Sequence, residues 1–260
     1  MNYNVLYGFH TPFDPKLFEP ARLELAQKIV AQEKPDILVL TEACFALENW
    51  QQVKLDYALL FGFKHCFCAA FQPRSEWATC LLSKYPLTCE AVPFGTRQAI
   101  RALVAIKNKE LHLDIIHPDP EHSDEEYCAL SKPLLSTLKK SYIVTGDFNA
   151  LSDEDSYDRA ALVQGFHSFA GEKASLLADK LLACKFIPFI KSFGLRDLMP
   201  IKNRKCTIPT DLLNKDKTAG IRIDYFFASK DVICKDAWIV KNELSEKASD
   251  HYPVCCVIEV

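Results

Sequence analysis

The run Tyr142-Ile143-Val144-Thr145-Gly146-Asp147-Phe148-Asn149-Ala150 constrains the fold most. It opens on aromatic and β-branched residues, which suit a strand. It breaks at Gly146 and then presents Asp147 and Asn149. Alternation along an extended chain puts those two side chains on one face. A carboxylate beside a carboxamide at a strand end can hold a metal, take a proton from water or donate to an anionic oxygen. Gly, Asp and Asn are also ordinary turn residues, so the run takes its meaning from its surroundings.

Strand-like and helix-like stretches alternate around it. Residues 3 to 8 read as a strand carrying Asn4 and ending at Gly8. Pro20 suits the first turn of a helix, whose apolar positions Leu23, Ala26, Ile29 and Val30 recur at helical spacing until Pro35. Asp36 to Leu40 is a continuous apolar strand, the kind buried on both faces, and it delivers Glu42 just past its end. A second helix is expected within 45–59. Strands follow near 65–71, 78–83, 102–107 and 111–117, the last closed by His117. A helix is expected near 124–139, kinked at Pro133. The segment 151–194 begins acidic and continues as an apolar helix from Ala174 that Pro188 bends or ends. Arg222 to Ala228, Ala237 to Val240 and Pro253 to Val260 read as strands.

No composition break or Gly/Ser linker interrupts the 260 residues, so one domain of α/β type over 1–260 is expected, with the longer helical segment at about 151–194. A net charge of -3 excludes a protein that coats nucleic acid electrostatically, though it leaves room for a local basic groove. No apolar run approaches the roughly 20 residues that span a bilayer, so no stable membrane insertion is expected. With no signal-peptide pattern, the 11 cysteines fit free thiols in a reducing, cytoplasmic setting. A monomer is the expected state.

Apolar strands thus end repeatedly in acids, amides and imidazoles: Asn4, Glu42, His117, Asp147, Asn149, Asp224, Asp250 and His251. Singly, each is an ordinary turn, capping or ion-pair residue. Together they mark strand ends as the place where a site is built. Their order and local words are Asn4 on the first strand, Leu40-Thr41-Glu42-Ala43, His117 after a mid-chain strand, Gly146-Asp147-Phe148-Asn149, Arg222-Ile223-Asp224-Tyr225 and Ser249-Asp250-His251-Tyr252-Pro253. That series resembles the endonuclease/exonuclease/phosphatase superfamily over residues 2 to 258. Two positions depart from the pattern. Thr41 stands where many members have Gln, and Leu6 stands where apurinic endonucleases place an acid. Ala219 to Asp224 looks like the corresponding run of exonuclease III, whereas the ending from Ser249 is close to that of sphingomyelinases.

The resemblance implies a four-layer sandwich, with two face-to-face mixed β-sheets flanked by helices. It also implies Mg²⁺-dependent attack of water on a phosphoester, with Mn²⁺ able to substitute. Glu42, Asn4 and Asp250 match metal-site positions. Asp147 matches the acid that orients or deprotonates water, and Asn149 the amide on a phosphate oxygen. Asp224 and His251 match a carboxylate–imidazole pair, and His117 a phosphate-contacting position. The residues leave Asp147 and His251 both open as the general base.

The expected activity is phosphodiester hydrolysis on DNA or RNA. A small phosphoester or lipid head group is the alternative substrate, and an inactive binding module the alternative class. A nuclease needs basic side chains beside the site. Arg74, Arg97, Arg101, Lys202, Arg204 and Lys205 lie in or near expected loops, with Arg97 and Arg101 expected at one rim as substrate contacts.

Overall fold

The computed structural model describes residues 1–11, 14–44, 57–70, 77–213 and 219–259. In chain order its strands are β1 (Asn2–Asn4), β2 (His10–Thr11), β3 (Asp14–Phe18), β4 (Ile37–Cys44), β5 (His65–Ala70), β6 (Trp77–Ser83), β7 (Leu87–Phe94), β8 (Arg97–Ile106), β9 (Lys109–Ile116), β10 (Tyr142–Asp147), β11 (Arg196–Asp197), β12 (Asp224–Ala228), β13 (Ile233–Ile239) and β14 (Val254–Glu259). The helices are α1 (Pro20–Glu33), α2 (Asp124–Leu135), α3 (Arg159–Ala170), α4 (Ala174–Leu182), α5 (Phe186–Ser192) and the single turn α6 (Ser245–Ala248).

Two six-stranded mixed sheets result, ordered β13-β14-β1-β4-β6-β5 and β11-β12-β10-β9-β8-β7. Strand alternation sorts their side chains. Val39 of β4 and Ile143 of β10 meet in the core between the sheets, with Leu81, Ile100, Leu113 and Phe226. The neighbouring Leu38 and Leu40 face outward onto Ala26, Ile29 and Val30 of α1. Tyr142 and Val144 likewise face Tyr127, Leu134, Phe186 and Ile190 of α2 and α5. Both faces of the central strands are covered, which is why those strands read as unbroken apolar runs. The architecture is the expected four-layer α/β sandwich.

Topology then gathers the polar strand ends. β1 runs parallel to β4, and β9 parallel to β10, so four strands finish toward one edge. β12 is antiparallel to β10 and β14 to β1, so those two strands begin there. Asp147 and Asp224 are direct cross-strand partners.

Several elements differ from the sequence-based expectation. Gly146 does not end its strand, because β10 runs through to Asp147. The glycine is required there for another reason. Its φ is +142°, and a Cβ would lie 1.9 Å from the carbonyl oxygen of Ile116 on β9. Only a residue without a side chain lets the strands approach so closely. The first strand stops at Asn4, and a 3₁₀ turn at Tyr7–Phe9 follows it. β7 was not foreseen, and β8 begins at Arg97 rather than near 102. The segment 151–194 contains three helices. The break expected at Pro188 falls instead at Cys184, whose φ is +49°, and Pro188 sits in the first turn of α5. There it displaces no intrahelical N–H bond. α2 carries Pro133 near its end and stops two residues later, at Leu135. Of the helix expected within 45–59, residues 45–56 lie outside the described residues; 57–61 are helical.

Candidate active site

Glu42 is re-aimed by an irregularity in its own strand. The β4–β6 register shifts between Leu40 and Ala43, and Glu42 takes φ +55°. A bulge of this kind bends the strand and turns a side chain out of the regular alternation. The Tyr7 N–H donates to Glu42 Oε2 at 3.3 Å. The Glu42 side chain keeps 16% of its exposure, against 1–2% for His117 and Asp147, so the cluster opens through Glu42.

Asp147 is the hub. Its Oδ2 accepts from Asn4 Nδ2 at 3.0 Å and lies 3.6 Å from His117 Nε2 and 3.8 Å from His251 Nε2. His117 Nε2 is also 3.9 Å from Glu42 Oε1. On the other side, His251 Nδ1 and Asp224 Oδ2 are 2.8 Å apart. Asp250 Oδ1 accepts from Ser249 Oγ at 3.2 Å, and that hydroxyl also donates to Asn4 O at 2.7 Å.

The expected same-face pairing of Asp147 and Asn149 arises differently. Asn149 has φ +47°, and its N–H donates to Asp147 Oδ1 at 2.9 Å. A side-chain turn, rather than strand alternation, holds the two together. Asn149 Nδ2 donates to Pro118 O at 3.0 Å. Arg97 Nη1 donates to the same carbonyl at 3.1 Å, and so fixes the loop that carries His117.

Burial and crowding set the charge states. Burial is the main force raising Asp147, with Asp224 and Glu42 adding to it against His251 and the Asn149 N–H; the result is about 7. Burial and the nearby Asp250 also raise Glu42. Burial, Arg97 and His251 push His117 well below the ordinary imidazole range. Burial opposes protonation of His251 as well, but Asp224, Asp250 and Asp147 outweigh it and hold that imidazole well above its ordinary range. Asp147 therefore stands between a neutral imidazole and a cationic one.

The donor set suits a hard divalent cation. Glu42, His117 and Asp147 can converge on one ion. Asp147, Asp224 and His251 lie equally close together, but an imidazole held as a cation on Asp224 has no lone pair to offer a metal. Asp250 is in neither trio, yet its charge reaches Glu42. Carboxylates crowded enough to raise one another's pKa values are stabilised when a cation joins them.

The model of the Endonuclease/Exonuclease/phosphatase family matches residues 1–251. The chain belongs to this family. It is accordingly an enzyme of the hydrolytic phosphoesterase class. No curated protein matches it. The solved structures similar to it include an AP endonuclease from Archaeoglobus fulgidus, at 19% identity and TM-score 0.65 over 100% of this chain and 98% of that one. They also include D. rerio TDP2 complexed with single strand DNA product, at 17% identity and TM-score 0.63 over 100% and 97%. The 3'-5' exonuclease NExo from Neisseria meningitidis has 18% identity and TM-score 0.62 over 93% and 96%. At these identities the likeness is one of fold.

Arg101 does not join the family site. Its guanidinium bonds Asp114 at 3.1 and 3.0 Å and Leu134 O at 2.8 Å, under α2. It lies four residues along β8 from Arg97, so strand rise carries it away from the rim where both were expected. Arg204 is held by Glu154 at 2.7 Å and Asp197 at 3.5 Å, whereas Lys202 and Lys205 are exposed. Arg74 lies outside the described residues. Two residues went unseen in the sequence. Arg22, only 3% exposed, donates to the carbonyls of Val5, Leu6, His10 and Ala248, tying the turn after Asn4 to the end of α6, just before Ser249. Asn2 Nδ2 donates to Asp224 Oδ1 at 3.3 Å. Helical periodicity conceals the first, but the second had a signal, since Asn2 lies one strand period from Asn4.

Proposed function

We propose that this enzyme is a Mg²⁺-dependent phosphodiester hydrolase, with Mn²⁺ able to substitute, acting on DNA or RNA. The observation that carries the reading is Asp147 Oδ2 with Asn4, His117 and His251 all within 3.8 Å of it. Glu42 is the principal metal ligand, with Asn4 and Asp250 beside it. When bound, the cation would polarise a phosphoryl oxygen and offset the negative charge that grows on the phosphoryl oxygens. Asp147 takes the proton from the attacking water. Burial raises the Asp147 carboxylate above its ordinary range and so strengthens it as a base, whereas His251, held protonated, has no free electron pair to accept a proton. The Asp224 carboxylate orients His251 through Nδ1, and the imidazolium charge stabilises the transition state. Neutral His117 and the Asn149 amide serve the phosphate oxygens. Water oxygen bonds to phosphorus as the ester P–O bond breaks, and the leaving oxygen departs as an alkoxide that takes a proton from solvent, to which Asp147 returns its own.

A second reading, hydrolysis of a small phosphoester, is favoured by the rim. Arg101 and Arg204 are taken up in internal pairs, and the loop and helix start beyond His117 carry Asp119, Glu121, Asp124, Glu125 and Glu126. The helical segment supports the site in either case. Leu162, Phe166 and Ala178 pack on Leu151, Ile221 and Ile223, next in the chain to Asn149 and Asp224. Lys180 Nζ meanwhile bonds Pro120 O at 2.5 Å. Because both sheets supply the cluster, we also read residues 1–260 as one domain. Cleavage of single- and double-stranded DNA and RNA across a salt series, beside nucleotide and head-group esters, with Mg²⁺ or EDTA, tests the reading. Metal-dependent, salt-sensitive nucleic-acid cleavage is expected. Fast turnover of a small ester with none of nucleic acid at low salt would transfer the assignment to the second reading, and no metal-dependent turnover of any ester would refute both.

A further inference from the structure

β1 presents two amides one strand period apart to the inter-sheet side. Asn4 Nδ2 bonds Asp147, and Asn2 Nδ2 bonds Asp224 Oδ1. Asn2 and Asn4 are fully buried, and Asp224 is 2% exposed. The two oxygens of Asp224 therefore have different partners, His251 Nδ1 on Oδ2 and Asn2 Nδ2 on Oδ1. A carboxylate held at one oxygen only can rotate about its last bond. Held at both, it has one orientation, and so has the imidazole it grips. The amide suits this role where a hydroxyl or a methyl would not. It is long enough to cross from one sheet to the other and carries no charge that would compete with His251 for Asp224. Its own Oδ1 is buried without a hydrogen-bond partner. A buried amide left half satisfied costs stability, so packing preference alone does not account for Asn here.

We propose that Asn2 is a positioning residue that fixes the Asp224–His251 pair for catalysis. β1 is then a single strand that sets both catalytic carboxylates, Asp147 through Asn4 and Asp224 through Asn2. The assignment rests on the catalytic role proposed above for the Asp224–His251 pair.

The test uses Asn2→Leu, of similar size without the amide, and Asn2→Ala, which cannot overpack. The full chain is assayed with saturating Mg²⁺ on the substrate found above. Expected is a fall in kcat of about 10- to 100-fold, as for groups that orient a ligand or catalytic side chain, with KM changed less than about twofold. In an Asp224→Asn background the same substitutions are expected to change kcat less than about twofold, since the two residues act as one unit. A purely structural role predicts a lowered unfolding midpoint with kcat per folded molecule unchanged. Wild-type kcat in both Asn2 variants, or the same fold-loss in the Asp224→Asn background, overturns the proposal. A second measurement needs no Asn2 variant and no metal. The Nδ2 amide proton resonances of Asn2 should shift in Asp224→Asn, and unchanged resonances overturn the contact itself. If Asp224→Asn keeps wild-type kcat while those resonances do shift, the catalytic reading of the pair falls and the contact stands.

Discussion

At the scale of single residues, the site works by giving chemically similar groups different environments. His117 and His251 flank one carboxylate oxygen at 3.6 and 3.8 Å, yet burial beside Arg97 keeps the first neutral and Asp224 keeps the second charged. Such separation is how one cluster can hold acid and base functions together. Glu42 is the residue whose chemistry is most separable from packing, because its side chain is partly open to solvent and its contacts are polar. Glu42→Gln is expected to lower metal-supported turnover by on the order of 10²-fold or more while leaving the unfolding midpoint of the metal-free protein unchanged or raised, since a charge crowded by Asp250 is removed. Wild-type rate at low Mg²⁺ in that variant would exclude Glu42 as the ligand.

At the scale of elements, the site depends on segments that hold irregular backbone in place. The β4 bulge, the turn after Asn4 and the loop that starts at Ser249 are all non-repetitive, and Arg22 of α1 ties the turn after Asn4 to the end of α6, where that loop begins, through four carbonyls. The Thr210 hydroxyl donates to Ser249 O, closing the same loop from another side. Arg22→Met keeps the stem that packs in the outer core and removes the donors. It is expected to cost about 2–4 kcal/mol by urea unfolding, because buried carbonyls lose their partners. A loss under about 0.5 kcal/mol, the range of ordinary surface substitutions, would show that water serves those carbonyls equally well. The approach of α3 to the loop before Asp224 is equally tight. A Cβ on Gly165 would lie 2.0 Å from that of Ala219, so the helix is pressed directly against the loop that leads to Asp224.

At the scale of the whole molecule, buried carboxylates drawn from both sheets couple folding to pH and to metal. Asp147 has an ordinary value of 3.8 and a folded value of about 7. Its folded pKa is raised, so its contribution is fully present below about pH 4 and is lost as pH climbs to about 7. A cation binds the ionised form and offsets that loss. The rise in melting temperature produced by a fixed Mg²⁺ concentration is therefore expected to grow between pH 5 and pH 8, and Asp147→Asn should flatten most of that dependence. A Mg²⁺ shift independent of pH in the wild-type chain would argue against metal at this cluster.

The strand-ending motifs were legible in the sequence because they are local. An apolar run followed by an acid or amide needs only the strand period to be recognised, which marks Asn4, Glu42, His117, Asp147 and Asn149, whereas Asp224, Asp250 and His251 open or precede their strands and are legible from local motifs and the resemblance. The layered α/β class was legible for the same reason, since both faces of the central strands are covered and their sequences stay apolar throughout. What the tertiary structure alone decided is non-local. Whether Arg101 faces substrate or Asp114 depends on where β8 begins and what α2 places over it. Gly146 is glycine because of a carbonyl on the neighbouring strand, thirty residues away. The bond from Asn2 to Asp224 joins residues 222 positions apart across two sheets. The opposite charge states of His117 and His251 follow from burial and from neighbours brought in by β8, β10, β12 and the loop before β14. Residue identity supplies the chemistry available to a side chain, but solvation and partner charge select which form it takes, and both exist only once the chain has closed around it.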